Sequence, residues 1–215
     1  EGVLDEVSGS VKLVLMGWPG PLVGETLAHN VVNEVLMAAR ANFAVLLDRG
    51  LKQVRRILVP VGGGVHSRLA IRLAYEIAAR EGAHIAALHC LCEECEFEEL
   101  EDRMAFLREI IEDELGSVPS RFTTRLAQAG DVADGILEET ARQPYDLVVV
   151  GASEEWSVRT QLFGTVDDQI TEQIACSVLL VRRYEPAAIS WIKRRIKLIE
   201  KEYERINGLS GDRGK

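Results

Sequence analysis

Short apolar runs alternate with longer amphipathic stretches along most of the chain. Each run has the length of a buried strand, and the stretches between them carry apolar residues at the three-to-four spacing of a helix packed on one face. The predicted strands are residues 11–16, 43–47, 56–61, 85–91, 121–127 and 147–150, with a last apolar run that ends at Arg183. Strands that alternate with helices predict an α/β fold built on a parallel sheet.

The predicted helices have clear start and stop signals. Gly82 ends the helix that follows residues 62–64, and Gly130-Asp131 supplies a turn and an N-cap for a later helix. A long charged helix is predicted from about residue 96 to 115. Because ligands bind at the carboxyl ends of parallel strands, the triglycine at 62–64 and Gly151 are expected at one sheet edge.

Residues 11–50 repeat the pattern of residues 146–183. Laid beneath the later segment without a gap, Gly17 falls on Gly151 and Val45-Leu46 falls on Leu179-Leu180, at a constant separation of 134 residues. The first copy lacks its opening strands. Because an open sheet edge costs stability, this half copy is expected to lie against the complete domain, to which it could supply its last strand, or against a second chain.

The segment after residue 185 differs in kind. Isoleucine and tyrosine recur at alternating spacings of three and four between residues 189 and 206, which is a short heptad seam with a basic opposite face. This helix could pair with another subunit, fold back on its own chain, or touch an anionic membrane surface.

Composition narrows the class of protein. The formal net charge of −9 argues against a general nucleic-acid binder. No apolar run is long enough to cross a bilayer and no signal peptide is evident, so a cytoplasmic location is expected. The four cysteines do not form a disulfide framework for a chain of this length. The start at Glu1 suggests a fragment of a longer or processed chain.

The stretch from Asp146 to Arg183 predicts a strand, a loop, a helix and a second strand. Gly151 ends the first strand, and a glycine there lets backbone approach a ligand. Gly164-Thr165 opens the helix, where free amide hydrogens and the helix dipole favour an anion. The stretch therefore predicts half of a nucleotide or phosphate site.

These residues resemble the universal stress protein family, whose mark is a loop of the form G-x2-G-x9-G-[ST] after the fourth strand. The matching residues are Gly151, Gly164, Thr165 and Val166, together with a first strand ending in Pro60-Val61-Gly62-Gly63. The resemblance implies a five-stranded parallel sheet with helices on both faces. It also implies a homodimer, or an intrachain pseudo-dimer in which last strands pair, and ATP or another adenine nucleotide with Mg as ligand.

Two positions depart from the family's binding members. Glu154 stands where the second loop glycine belongs, and Gly62 stands where an aspartate usually holds the nucleoside. A carboxylate beside phosphates is repulsive, and a side chain can block the close approach that glycine permits. Weak or altered nucleotide binding and a nonbinding relative, in which the glycines only shape turns, therefore remain open alternatives.

The run from His89 to Cys95 offers a second chemistry. Cys90, Cys92 and Cys95 with His89 could ligate zinc, and Cys92-Cys95 could act as a redox switch. However, strand alternation places Cys90 and Cys92 on the opposite face from His89, which favours ordinary core or strand-end residues. No nucleophile motif, paired carboxylates or Walker loop is evident, so no enzyme is expected.

The sequence thus predicts three segments: a half repeat at residues 1–50, a complete universal stress domain at 51–184 and an amphipathic helix with a polar tail at 185–215. The predicted role is that of a regulatory module that binds an adenine nucleotide weakly. A structural dimerisation domain is the alternative, and an ATP-hydrolysing enzyme is the least favoured one. The triglycine and the Gly-Trp-x-Gly turn near residue 17 also resemble the cytoplasmic tails of prokaryotic amino-acid permeases and cation-proton antiporters. That likeness implies an attached or partner transporter.

Overall fold

The computed structural model describes residues 11–17, 40–91, 97–152, 170 and 173–185, without the side chains of residues 97 and 98. The described elements, in chain order, are β1 (Leu13–Gly17), β2 (Asn42–Leu47), β3 (Arg56–Pro60), α1 (Val65–Glu81), β4 (His84–Leu91), α2 (Phe97–Leu115), β5 (Phe122–Gln128), α3 (Val132–Arg142), β6 (Leu147–Gly151) and β7 (Ser177–Arg182). They agree with the predicted elements in kind and order, and they differ only at the ends.

The chain divides into two units, residues 1–183 and residues 184–215. The first unit contains every element named above. The described part of the second unit is limited to Tyr184 and Glu185, so the predicted terminal helix lies outside the described residues. Among the described helices, none combines the length and apolar character needed to cross a membrane.

Seven strands form one sheet in the order β1-β2-β7-β6-β3-β4-β5. The five strands from β3 to β7 run parallel to one another and form the sheet predicted for the complete domain. β1 adds to β2 in parallel, and β2 joins β7 in the single antiparallel ladder of the described sheet. β1 and β2 therefore extend the sheet formed by β3 to β7.

Helices cover both faces of this sheet, which is why its strands are apolar at nearly every position. One face packs against α1 and α2, and its core includes Ile57, Ile71, Ile85 and Ile111, all fully buried. The other face packs against α3 and against residues 170 and 174, with Leu58, Leu88 and Ile136 at its centre. The result is a three-layer arrangement.

The predicted helix ends are confirmed at the two positions that the structure describes. Gly82 follows α1 with a φ of 70°, a left-handed conformation that glycine adopts without strain. Asp131 caps α3 by accepting a hydrogen bond from the backbone N–H of Asp134 at 2.8 Å. The end of α1 and the start of α3 therefore depend on residues close to them in the sequence.

The registers correct the gapless alignment of the two copies. β1 pairs Gly17 with Leu46, whereas β6 pairs Gly151 with Val181, so the second strand of the first copy is offset by one residue. Val45 thus corresponds to Leu180, and the two are directly paired and face the same core. The gapless alignment matched Val45 with Leu179, which faces the opposite core. Because side chains alternate along a strand, a one-residue slip reverses every face.

Asp48 joins the end of β2 to the start of β7. Its Oδ1 accepts hydrogen bonds from the backbone N–H groups of Gly50 and Leu51 and from Ser177 Oγ, at 2.9, 2.8 and 3.3 Å. Ser177 Oγ also accepts from the N–H of Arg49 at 2.9 Å. The hydrogen bonds from Leu51 and Gly50 lower the pKa of the Asp48 carboxyl.

Replacement of Asp48 should make this junction less stable in a pH-dependent way. Because the folded-state pKa is lowered, the ionised carboxylate stabilises the fold above its unfolded pKa of about 3.9, and this contribution is lost as pH falls through the lower folded value. We expect Asp48→Asn to unfold in less urea than the wild-type chain at pH 6, with the difference fading below about pH 4. Asp102→Asn, an exposed position on α2, is the control. A difference that persists unchanged to pH 3 would contradict the assignment.

Candidate functional site

The carboxyl ends of β3 and β6 lie side by side at one edge of the sheet. From β3 the chain crosses to β4 on one side, whereas β6 lies on the other side, so strand order reverses between these two strands. In open α/β sheets such a reversal opens a crevice in which ligands bind. The predicted residues Pro60, Val61, Gly62, Gly63 and Gly151 all belong to this edge.

Hydrogen bonds to the neighbouring strand hold the end of β3 in place. The Val61 N–H donates to Leu88 O at 2.7 Å, and Val61 O accepts from His89 Nδ1 at 2.8 Å. A carbonyl oxygen can only accept, so His89 Nδ1 carries a proton and is the donor in this contact. The backbone N–H and C=O of Val61, the buried residue that follows β3, are therefore both hydrogen-bonded.

The three glycines that follow β3 differ in their surroundings. A Cβ on Gly62 would meet no atom within 4 Å, so this exposed position faces open space. Gly63 has a φ of +83°, and a Cβ there would lie 3.0 Å from Phe106 Cζ. Only a glycine satisfies both the backbone and the space at that position. Gly64 is the N-cap of α1.

Neither the N-cap residue nor the first turn of α1 supplies a group that would compensate the positive end of the helix dipole. Gly64 offers no side-chain cap, and the first turn contains no acidic residue. The first helical hydrogen bond runs from the Arg68 N–H to Gly64 O at 3.1 Å, so the amides before Arg68 have no partner within the helix. Such a helix end favours an anion.

Gly151, predicted at the ligand edge, packs closely against α1. A Cβ at this position would lie 2.4 Å from the Ser67 N and 2.5 Å from the His66 carbonyl carbon. The glycine therefore permits close approach of the helix backbone, and approach of a ligand at this position stays a prediction. This contact fixes where the amino end of α1 lies.

His66 ties the same helix turn to the last strand. The Arg183 N–H donates to His66 Nδ1 at 3.0 Å, immediately after β7 ends. This hydrogen bond gives the His66 ring a specific backbone partner. The crevice is thus bounded by three strands and one helix end.

Sequence reasoning missed one aromatic pair at this edge. The rings of His89 and Phe106 meet edge to face with centroids 5.7 Å apart, and the Phe106 ring covers Gly63. Phe106 is 38% exposed, which is unusual for a large apolar side chain beside a crevice. Its position one residue before the buried Leu107 gave no sign of this contact, because β4 and α2 are brought together only by the fold.

Several predicted site residues lie outside the described residues: Glu154, Gly164, Thr165, Val166, Cys92 and Cys95. Cys90 is described, and its Sγ packs against α3 near Gly135, whereas His89 packs against α2. The predicted separation of these two side chains by strand alternation is confirmed. In the described part of the chain, no group of three metal-ligating side chains is found. A zinc or redox role for the cysteine run stays a prediction.

Comparison with known families decides the assignment. The sequence profile of the universal stress protein family matches residues 53–182, which is more than half of the chain. The chain belongs to the universal stress protein family. No match is found among curated proteins.

Solved structures with this fold are distant in sequence. A universal stress protein from Archaeoglobus fulgidus DSM 4304 is 16% identical, with a TM-score of 0.58 over 81% of this chain and 62% of that chain. A universal stress protein in complex with cAMP is 18% identical, with a TM-score of 0.48 over 60% and 97%. An Arabidopsis thaliana family protein with AMP bound is 21% identical, with a TM-score of 0.42 over 60% and 92%.

The close packing of Gly151 and the open space at Gly62 predict that alanine substitutions at these two positions will differ in their effect on stability. We expect Gly151→Ala to lower the free energy of unfolding by about 1–3 kcal/mol, because the first turn of α1 must move away. Gly62→Ala should change it by about 0.5 kcal/mol or less, since its Cβ enters open space. Urea denaturation of both variants measures the difference. Equal effects would show that Gly151 is not a packing glycine.

Proposed function

We propose that this chain is a regulatory module that binds an adenine nucleotide weakly at the carboxyl edge of β3 and β6. The observation that carries the proposal is the uncapped, acid-free amino end of α1 beside the crevice. An anionic phosphate finds backbone amides and a positive helix dipole there. The exposed Gly62 leaves room for ligand atoms, since a Cβ there would meet no atom within 4 Å.

The nucleotide class comes from the family and not from the crevice alone. Members of the universal stress protein family have been solved with cAMP and with AMP. Those complexes belong to other proteins, and here they select the ligands to be tested first. The open position at Gly62 and the carboxylate of Glu154 are reasons to expect low affinity.

A restored aspartate tests the proposal directly. Because Gly62 does not have a positive φ and its Cβ meets nothing within 4 Å, Gly62→Asp can be introduced without strain. If the crevice holds the ribose near this position, a charged hydrogen bond should tighten binding about tenfold relative to wild type. Gly62→Ala is the matched control and should bind as the wild-type chain does.

Binding is measured as the rise in melting temperature with AMP, ADP, cAMP and ATP-Mg at millimolar concentration. A shift that is larger for Gly62→Asp than for Gly62→Ala supports a nucleotide site at this edge. If neither the wild-type chain nor either variant shows a shift, the nucleotide site is excluded and the structural alternative stands.

That alternative is a nonbinding dimerisation domain, and Gly151 favours it. The glycine is accounted for by helix packing, so its presence does not require a ligand. We propose that β2 and β7 act as the pseudo-dimer junction within the chain, and that a homodimer can add to it. Light scattering of the full chain, with and without residues 186–215, tests whether the terminal segment contributes to that dimer.

The proposed setting is the cytoplasmic face of a membrane transporter, either attached or as a partner. It is supported by the likeness of the triglycine and the Gly-Trp-x-Gly turn to transporter tails. The gene sequence upstream of Glu1 tests it, since long apolar segments are expected there. We further propose that the module does not hydrolyse ATP, which a phosphate-release assay on the full chain would measure.

A further inference from the structure

We propose that a cleft at the opposite edge of the sheet binds a small organic anion with an apolar body. The cleft measures about 770 Å³, which lies within the usual size range of small-molecule sites. It lies at the amino ends of β6 and β7 and is independent of the crevice beside α1. Residues 49–53, the end of α3 and residues 173–177 form its walls.

The sheet order explains why this space exists. β2 ends at Leu47 beside the start of β7, whereas β3 begins at Arg56 three strand spacings away, about 14 Å across the sheet. The connecting residues 48–55 must therefore pass in front of the amino ends of β7 and β6. Together with the last turn of α3, this connection borders an open cleft.

The charge of the lining is opposite to that of the whole protein. Arg49, Lys52 and Arg55 line the cleft with Asp146 as the acidic member of the described lining, in a chain with a formal net charge of −9. Within the described residues, no carboxylate forms an ion pair with Lys52 or Arg55. A local positive region of this kind attracts anions.

The acidic and phenolic groups of the lining already have partners. Asp146 Oδ2 accepts from the backbone N–H groups of Arg55 and Arg56 at 2.7 and 2.9 Å. The Tyr145 hydroxyl donates to the buried Glu139 Oε1 at 2.6 Å, and burial, with that hydrogen bond, raises the pKa of Tyr145. The charged groups that a ligand would meet are therefore mainly the cationic side chains of Arg49, Lys52 and Arg55.

Apolar side chains provide the rest of the surface. Leu51, Leu137, Pro144 and Ile174 line the cleft from four different segments. Apolar walls with a few convergent polar groups are typical of sites for small organic molecules. The combination favours an aromatic or aliphatic carboxylate or phosphate over a bare inorganic ion.

Cys176 reports on occupancy, because it lines the same cleft and is partly exposed. Burial raises the pKa of its thiol. Alkylation of Cys176 by iodoacetamide is measured by mass spectrometry of its peptide, and alkylation of Cys90 in a separate peptide is the internal standard. Phenyl phosphate and benzoate are the anionic probes, and benzyl alcohol is the neutral comparator.

We expect either anionic probe to slow Cys176 alkylation roughly tenfold at ten times its dissociation constant, with no effect on Cys90. Benzyl alcohol should protect much less. Lys52→Glu and Arg55→Glu should each weaken protection by about fivefold, whereas Arg108→Glu, an exposed position on α2, should leave it unchanged.

Three outcomes would overturn the proposal. The first is no protection by either anion at ten millimolar, roughly the weak limit of useful small-ligand affinity. The second is equal protection by benzyl alcohol, which would indicate an apolar gap without anion preference. The third is protection that survives both charge reversals, which would place the anion elsewhere.

Discussion

The antiparallel ladder between β2 and β7 is the pairing on which the arrangement of the described chain depends. Val45 and Leu180 pair at its centre and face the same core, so two parallel strand pairs share one continuous sheet. The ladder covers an edge of β7 that would otherwise expose unpaired backbone groups. The ladder also places the end of β2 at the same end of the sheet as the start of β3. This position determines the path of the connecting residues 48–55.

The two edges of the sheet consequently have different chemistry. At the carboxyl edge of β3 and β6, glycines and an uncapped helix start leave backbone amides as the main polar groups. At the amino edge, the connection from β2 brings basic side chains over an apolar floor. Both arrangements favour anions, but the first depends on the helix dipole and the second on side-chain charge.

The individual elements of the fold could be predicted because their causes are local. The apolar runs, the Gly82 stop and the Asp131 cap each depend on a few neighbouring residues, and all are confirmed. The site was predicted only in part. Gly62, Gly63 and Gly151 reach the expected edge, but nothing local indicated that Gly151 packs on α1 or that Phe106 covers Gly63. Those contacts join segments that are far apart in the chain.

By itself, the sequence determined the α/β class, the order of strands and helices, the family and the sheet edge at which the glycines gather. Tertiary structure decided the register of β2, because a slip of one residue reverses the faces of a strand while leaving its apolar pattern nearly unchanged. It also decided which atoms approach Gly151, and it created the cleft beside Lys52. Each of these depends on the distance between segments, which composition and spacing along the chain do not encode.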